Sequence, residues 1–233
     1  MPDSMRRRSF LRLAVAGVGG AAIGAPLSAC GGDSAPDARP DTTREPPRAR
    51  GERGNRILVA YFSRPGENWW YGGRRNLKVG NTEVLARAIS ERLTCDVHRI
   101  EPADPYPADY DATVQRNVRE QDTDARPAIA NPLASIDEYD TILLASPIWN
   151  IRAPMIMTTF TESYDFAGKT VHPVTTYAMS GLGTTPEDYA RECPGARVAL
   201  GLAVRGEQAR SAGADVEAWL LRTGLLDGEA RPG

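Results

Sequence analysis

Ile57-Leu58-Val59-Ala60-Tyr61-Phe62, followed by Ser63-Arg64-Pro65-Gly66, is the stretch that decides the fold. Its six leading residues are apolar without alternation, which predicts a strand covered on both faces. From Arg56 onward, short apolar runs of this kind alternate with longer segments of helical spacing. That alternation predicts a parallel sheet with helices on both sides.

Further strands are expected at Thr141–Ala145, Val171–Tyr177 and Val198–Val204. Asp96-Val97-His98-Arg99-Ile100 alternates apolar and polar residues, as an exposed edge strand does. A helix opens at Asn81-Thr82, where Val84 and Ala88 with Leu85, Ile89 and Leu93 form an apolar stripe and Glu83, Arg87 and Glu91 lie outside it. Helices are also expected near Tyr110–Gln121, Pro154–Tyr164, Pro186–Glu192 and Ala212–Arg222. Five strands and about five helices result, with no internal repeat.

In open parallel sheets, ligands bind beyond the carboxyl ends of the strands. Ser63-Arg64 follows the first strand, and Gly80-Asn81-Thr82 opens the next helix. Free backbone N–H groups and the positive helix end, helped by the Ser63 and Thr82 hydroxyls, suit a phosphate without a metal. Read alone, Asn81 serves equally as an N-cap and Gly80 as a turn residue. Neither a Walker loop nor a G-x-G-x-x-G dinucleotide fingerprint is present.

Pro147-Ile148-Trp149-Asn150 follows the third strand and sets an indole beside the anion site, where it could stack on a flat ring or pack against Pro147 and Pro154. Ser180-Gly181-Leu182-Gly183 follows the fourth strand with small residues that permit close backbone approach.

The N-terminus carries targeting signals. Arg7-Arg8-Ser9-Phe10-Leu11-Arg12 resembles a twin-arginine export motif, and Leu27-Ser28-Ala29-Cys30 resembles a lipobox with Cys30 as the lipidated residue. The alternative, a membrane-spanning helix, fits the short Gly- and Ala-rich run less well. Residues 1–29 are therefore read as signal peptide, 30–54 as a Pro-rich disordered tether, and 55–233 as the folded domain. Setting aside residues 1–54, with nine Arg and six Asp or Glu, takes 28 basic and 30 acidic residues to 19 and 24, a net charge of −5. An acidic domain excludes nucleic acid as a natural partner.

Cys95 and Cys193 are expected on opposite sides of the sheet, too far apart to pair. His98 and His172 read as sheet residues, since no Cys or carboxylate stands at metal-ligand spacing from either. The spacing around Ser180 is not that of a G-x-S-x-G hydrolase.

The three loops together resemble the flavodoxin-like family, of the long-chain bacterial type, over nearly everything after Asn55. The resemblance implies an α/β three-layer sandwich with a five-stranded parallel sheet in the order 2-1-3-4-5 and FMN at the switch point. It implies FMN contacts from Ser63, Arg64, Gly80, Asn81 and Thr82 at the phosphate, from Pro147, Ile148, Trp149 and Asn150 beside the flavin, and from Ser180, Gly181 and Gly183 at its polar edge. The chain departs from the family pattern in the sixteen residues Arg64–Val79, which include Trp69-Trp70-Tyr71, and in Ala178-Met179 where relatives often carry Gly-Gly.

The implied function is extracytoplasmic electron transfer through FMN, with a redox protein or a small quinone-like acceptor as partner and membrane contact through the lipid alone. An FMN-dependent NAD(P)H:quinone-type reductase and a cofactor-free binding module are the alternatives.

Overall fold

A computed structural model of the chain describes residues 55–227. The expected signal peptide, Cys30 and the expected tether lie outside the described residues.

The first strand, β1 (Ile57–Tyr61), is buried along its whole length. It pairs in parallel with β4 (Asp96–Arg99) on one side and β5 (Thr141–Pro147) on the other. Beyond β5 lies β6 (Thr170–Tyr177), and then two short strands in line, β7 (Arg197–Val198) and β8 (Leu202–Arg205). Counting β7 and β8 as halves of one strand, the order is the expected 2-1-3-4-5, parallel throughout.

The break in the last strand is a correction to the continuous Val198–Val204 expected from sequence. The Leu200 carbonyl turns out of the ladder and accepts from both His172 Nδ1 at 2.8 Å and Trp219 Nε1 at 3.1 Å. Gly201 fits there because a Cβ would lie 2.8 Å from the Pro173 carbonyl oxygen.

Alternation along β1 divides the core. Ile57, Val59 and Tyr61 face α1 (Asn81–Ser90) and α5 (Gly213–Thr223), meeting Leu85, Ile89, Val216 and Trp219. Leu58, Ala60 and Phe62 face the other way, toward Ile156, Met157 and Phe160 of α3 (Met155–Glu162) and Tyr189 of α4 (Thr185–Glu192). The free thiols of Cys95 and Cys193 belong to these opposite clusters. Burial pushes the Cys193 thiol up to about 12, so it is an inert core group.

Glu83 is a second correction. It is buried, not on the exposed side of α1, because its carboxylate is covered by Arg87 and by Arg99 at 3.6 Å.

The departure Arg64–Val79 folds as a hairpin of β2 (Gly66–Trp70) and β3 (Gly73–Leu77). Tyr71 and Gly72 close it with φ of 45° and 84°, the doubly left-handed geometry of a type I′ turn. No helix among the described residues is long and apolar enough to cross a membrane.

Candidate functional site

A cavity of about 400 Å³ opens at the carboxyl ends of β1, β5 and β6. Its floor at α1 is made by Ser63, Asn81 and Thr82. The cap of that helix is Gly80, with extended backbone and no side-chain cap, so the alternative reading of Asn81 as N-cap is not what the structure shows. The local packing explains the glycine: a Cβ on Gly80 would strike Ser63 Oγ and lie 2.5 Å from the Arg64 carbonyl oxygen. Ser63 Oγ accepts the Glu83 amide at 3.0 Å and keeps its own proton for a ligand. Thr82 and Thr176 share a hydroxyl hydrogen bond of 2.7 Å at the base.

The amides of Asn81 and Thr82 precede the first intrahelical bond of α1, from Val84 N to the Gly80 carbonyl, and they have no acceptor among the described residues. With the helix dipole behind them and no carboxylate on the cavity wall, they fit an anion.

Arg64 lines the same cavity but does not reach out as a free cation. Its guanidinium donates to the Pro107 carbonyl at 2.8 Å, the Ala108 carbonyl at 3.0 Å and the Glu67 carbonyl. Its buried Nε has no partner among the described residues. Burial holds its pKa below the ordinary guanidinium value, though a guanidinium stays charged regardless.

Pro147, Ile148, Trp149 and Asn150 form the wall beyond β5. The turn is pinned by reciprocal backbone bonds between Trp149 and Arg152, with Asn150 at φ 65°. Trp149 meets Phe62 and Tyr106 edge-on, at centroid distances of 5.6 and 5.0 Å. Arg152 ties this turn to α4 through Glu192 at 3.5 Å and Asp188 at 3.8 Å. Burial raises the pKa of Glu192, opposed by hydrogen bonds from Thr161 and Thr158.

Eight of the twelve residues expected from sequence line the cavity: Ser63, Arg64, Asn81, Thr82, Pro147, Ile148, Trp149 and Asn150. Gly80 sits just behind Ser63. Ser180, Gly181 and Gly183 lie outside the cavity wall, because their loop folds onto the 150s turn. A Cβ on Gly183 would strike the Ile151 carbonyl, Ser180 Oγ points to the Asn150 carbonyl at 3.5 Å, and the Gly181 carbonyl accepts from Thr175. Thr176, Tyr177 and Ala178 take their place.

Sequence reading missed the wall contributed by α2 (Tyr110–Asp122) and the hairpin. Tyr110, Thr113, Val114, Asn117 and Val118 line the cavity from α2, and Asn68 and Trp69 from β2. The signal was present as spacing: Val114 and Val118, one turn apart, are apolar on a mostly polar helix. Among the described residues no His, Cys, Asp and Glu cluster could hold a metal.

The site therefore combines an anion seat, a wall of aromatic and aliphatic groups, and no acid or base aimed into it. That arrangement binds a phosphate joined to a flat ring and leaves the chemistry to the ligand.

The sequence model of the flavodoxin family matches residues 56–222. No curated protein matches the chain. Among solved structures, a Bacteroides uniformis protein named as a flavoprotein is 32% identical, with a TM-score of 0.58, covering 72% of this chain and 99% of its own. A Bacteroides eggerthii protein named likewise is 29% identical, with a TM-score of 0.58, covering 72% and 96%. A flavoprotein from Lactobacillus acidophilus, solved in complex with FMN, is 17% identical with a TM-score of 0.51 and covers 71% and 99%, a likeness of fold. Sheet order, loop placement and the span of the match agree, and the chain belongs to the flavodoxin family.

Proposed function

We propose that the cavity holds FMN and that the protein is a redox flavoprotein acting in electron transfer outside the cytoplasm. FMN is the cofactor of the family, and the supporting observation here is the uncapped start of α1 facing Ser63 at the end of a cavity lined by Trp149. The amides of Asn81 and Thr82 with the hydroxyls of Ser63 and Thr82 would hold the phosphate, and Trp149 with Thr176–Ala178 would flank the ring. The orphaned Nε of Arg64 and the free proton of Ser63 Oγ are the polar groups such a ligand satisfies.

When bound, the flavin supplies the redox chemistry, and the protein sets its potential by stacking, hydrogen bonding and charge. The long-chain assignment within the family rests on the loop sequences. Export by the twin-arginine route and anchoring through lipid on Cys30 rest on the N-terminal motifs, and a folded-protein route suits a chain that takes up its cofactor before crossing. A redox protein or a small quinone-like acceptor completes the reading.

The visible spectrum of protein purified after cytoplasmic folding tests it. Flavin absorption that is released as FMN on denaturation is expected. A colourless protein that takes up no FMN would overturn the assignment.

A further inference from the structure

The hairpin is fastened at both ends beside the cavity mouth. On one side Glu67 N donates to the Ala108 carbonyl at 2.8 Å, and Arg74 pairs with both Asp111 carboxylate oxygens at 2.8 and 2.7 Å. On the other, the turn residue Tyr71 donates its amide to Glu207 at 2.9 Å. This strap is the first part of a continuous rim. Arg205, two residues before Glu207, donates to the Ala178 carbonyl at 2.9 Å, and Ser180 Oγ in the same loop reaches the Asn150 carbonyl at 3.5 Å. The rim thus runs from the hairpin tip through Arg205 and the loop after β6 to the turn after β5.

Nine large apolar side chains are exposed among the described residues, and six of them lie on the cavity wall or within two residues of it along the chain. Three of the six stand on the rim outside the wall: Tyr71 is 69% exposed, Ile151 55% and Met179 82%. Apolar groups gathered bare around one opening mark a surface that another molecule covers.

The rim is also basic. Its segments, residues 66–78, 148–152, 178–184 and 205–211, carry six cations and two carboxylates, inside a domain whose net charge is −5. Of the two carboxylates, Glu207 is buried and Glu67 faces Arg74 at 3.7 Å. Arg74 is met by Asp111, and Arg152 by Glu192. Arg75, Lys78, Arg205 and Arg210 are exposed, with no carboxylate at ion-pair distance among the described residues. Arg75 lies over the Trp70 ring at 4.6 Å and Arg205 over Tyr177 at 5.7 Å, so these two are also held in place.

We propose that this rim docks an electron-transfer protein whose own contact surface is acidic around an apolar centre. The proposal rests on the FMN reading and concerns the chemistry of the partner. Tyr71, Ile151 and Met179 supply the apolar contacts, and the unpaired cations attract carboxylates at the partner's edge. Aromatic residues, methionine and arginine are the types that protein interfaces favour. A bilayer is the poorer occupant, because the chain enters the domain at the amino end of β1, the opposite end of the sheet from this rim.

The probe is plant-type ferredoxin, an acidic protein, reduced, freed of excess reductant and mixed by stopped flow with the FMN-loaded full chain. Each ferredoxin oxidised delivers one electron to the flavin, and no bond forms between the proteins. The second-order rate is expected to fall roughly tenfold between about 20 and 300 mM salt, the sign of attraction, although the domain as a whole is acidic. R75Q/K78Q/R210Q is expected to lose most of that salt dependence, and M179D to slow the low-salt rate severalfold. FMN affinity, measured on each apoprotein, is expected to stay within about twofold, since none of these four residues lines the cavity. All four are exposed, so the folded state tolerates the changes.

A wild-type rate that rises with salt, or one unchanged in both variants, overturns the proposal and leaves the flavin assignment standing. A parallel loss of FMN affinity in M179D overturns it by placing that residue in the flavin site. Sedimentation with phosphatidylglycerol vesicles that depends on Met179 and Arg75, with a ferredoxin rate that does not, overturns it in favour of a bilayer. Failure of the wild type to take up FMN overturns the functional reading on which the proposal rests.

Discussion

Glu207 accepts the backbone N–H of Tyr71 at 2.9 Å, joining the tip of the β2–β3 hairpin to the 3-10 helix Gly206–Ser211, 136 residues away. The carboxylate is buried and its second oxygen has no partner among the described residues, so this bond is the main tie at that end of the strap. A hydrogen bond to a charged acceptor contributes about 1.5–3 kcal/mol. In E207A the hairpin amides are expected to exchange with solvent roughly tenfold faster or more, with β1 and β5 unchanged. Hydrogen exchange by mass spectrometry reads this, and equal protection in both proteins would refute the latch.

Gly80 is required by space alone, since its φ of −68° is one that any residue adopts. In G80A the new methyl meets the Arg64 carbonyl oxygen, a backbone atom that cannot swing aside. Overpacking of this kind costs about 1–3 kcal/mol. The expected outcome is a lower melting temperature together with FMN affinity reduced roughly tenfold, read by differential scanning calorimetry and flavin fluorescence titration.

His172 gives the fold a defined acid response. Burial lowers its pKa from the usual 6.5, while the Leu200 carbonyl, which its Nδ1–H meets at 2.8 Å, partly opposes the shift. The unfolded chain thus takes up a proton near 6.5 that the folded chain refuses. The stability is complete above that pH and is lost as pH falls below it, by up to about 1.4 kcal/mol per pH unit for one proton. Urea midpoints measured from pH 7.5 to 5.5 are expected to decline, and H172Q to decline less steeply. His98, also lowered by burial, accounts for part of the remaining slope.

The proposed lipid anchoring through Cys30 has a direct readout. With C30A the protein is expected to lose incorporated fatty acid and to move from the membrane fraction to the soluble extracytoplasmic fraction, still carrying flavin. Lysine in place of both Arg7 and Arg8 is expected to hold it in the cytoplasm. Metabolic labelling and fractionation decide both.

The central strands were legible because both-face burial leaves a signature that no neighbour can alter, as Ile57–Phe62 shows. Glu83 was misplaced because its environment is set by Arg99 from another element, which helical spacing cannot reveal. The divided fifth strand depends on two side chains, His172 and Trp219, converging on one carbonyl from different elements. The hairpin was hidden by its turn: Tyr71 occupies a left-handed position where Asn or Asp would have announced a type I′ loop, and only Gly72 gave a hint. At the site, strand-end loops could be read from topology, whereas α2 and the hairpin join the cavity through long-range packing.

Arg64 is buried on the wall of the cavity that holds the anion seat, and its guanidinium donates to the carbonyls of Pro107, Ala108 and Glu67. A permanent cation bonded to backbone carbonyls, with the charges of Glu67 and Asp109 only partly offsetting its burial, is an electrostatic load on the empty protein. A dianion arriving at the nearby anion seat adds to that compensation, so ligand loading and folding would reinforce each other, and ligand at a hundred times its dissociation constant adds about 2.7 kcal/mol of stability. Under the proposed twin-arginine export, which carries folded proteins, that coupling would act as a maturation checkpoint: molecules without cofactor would be the ones that loosen and are turned back.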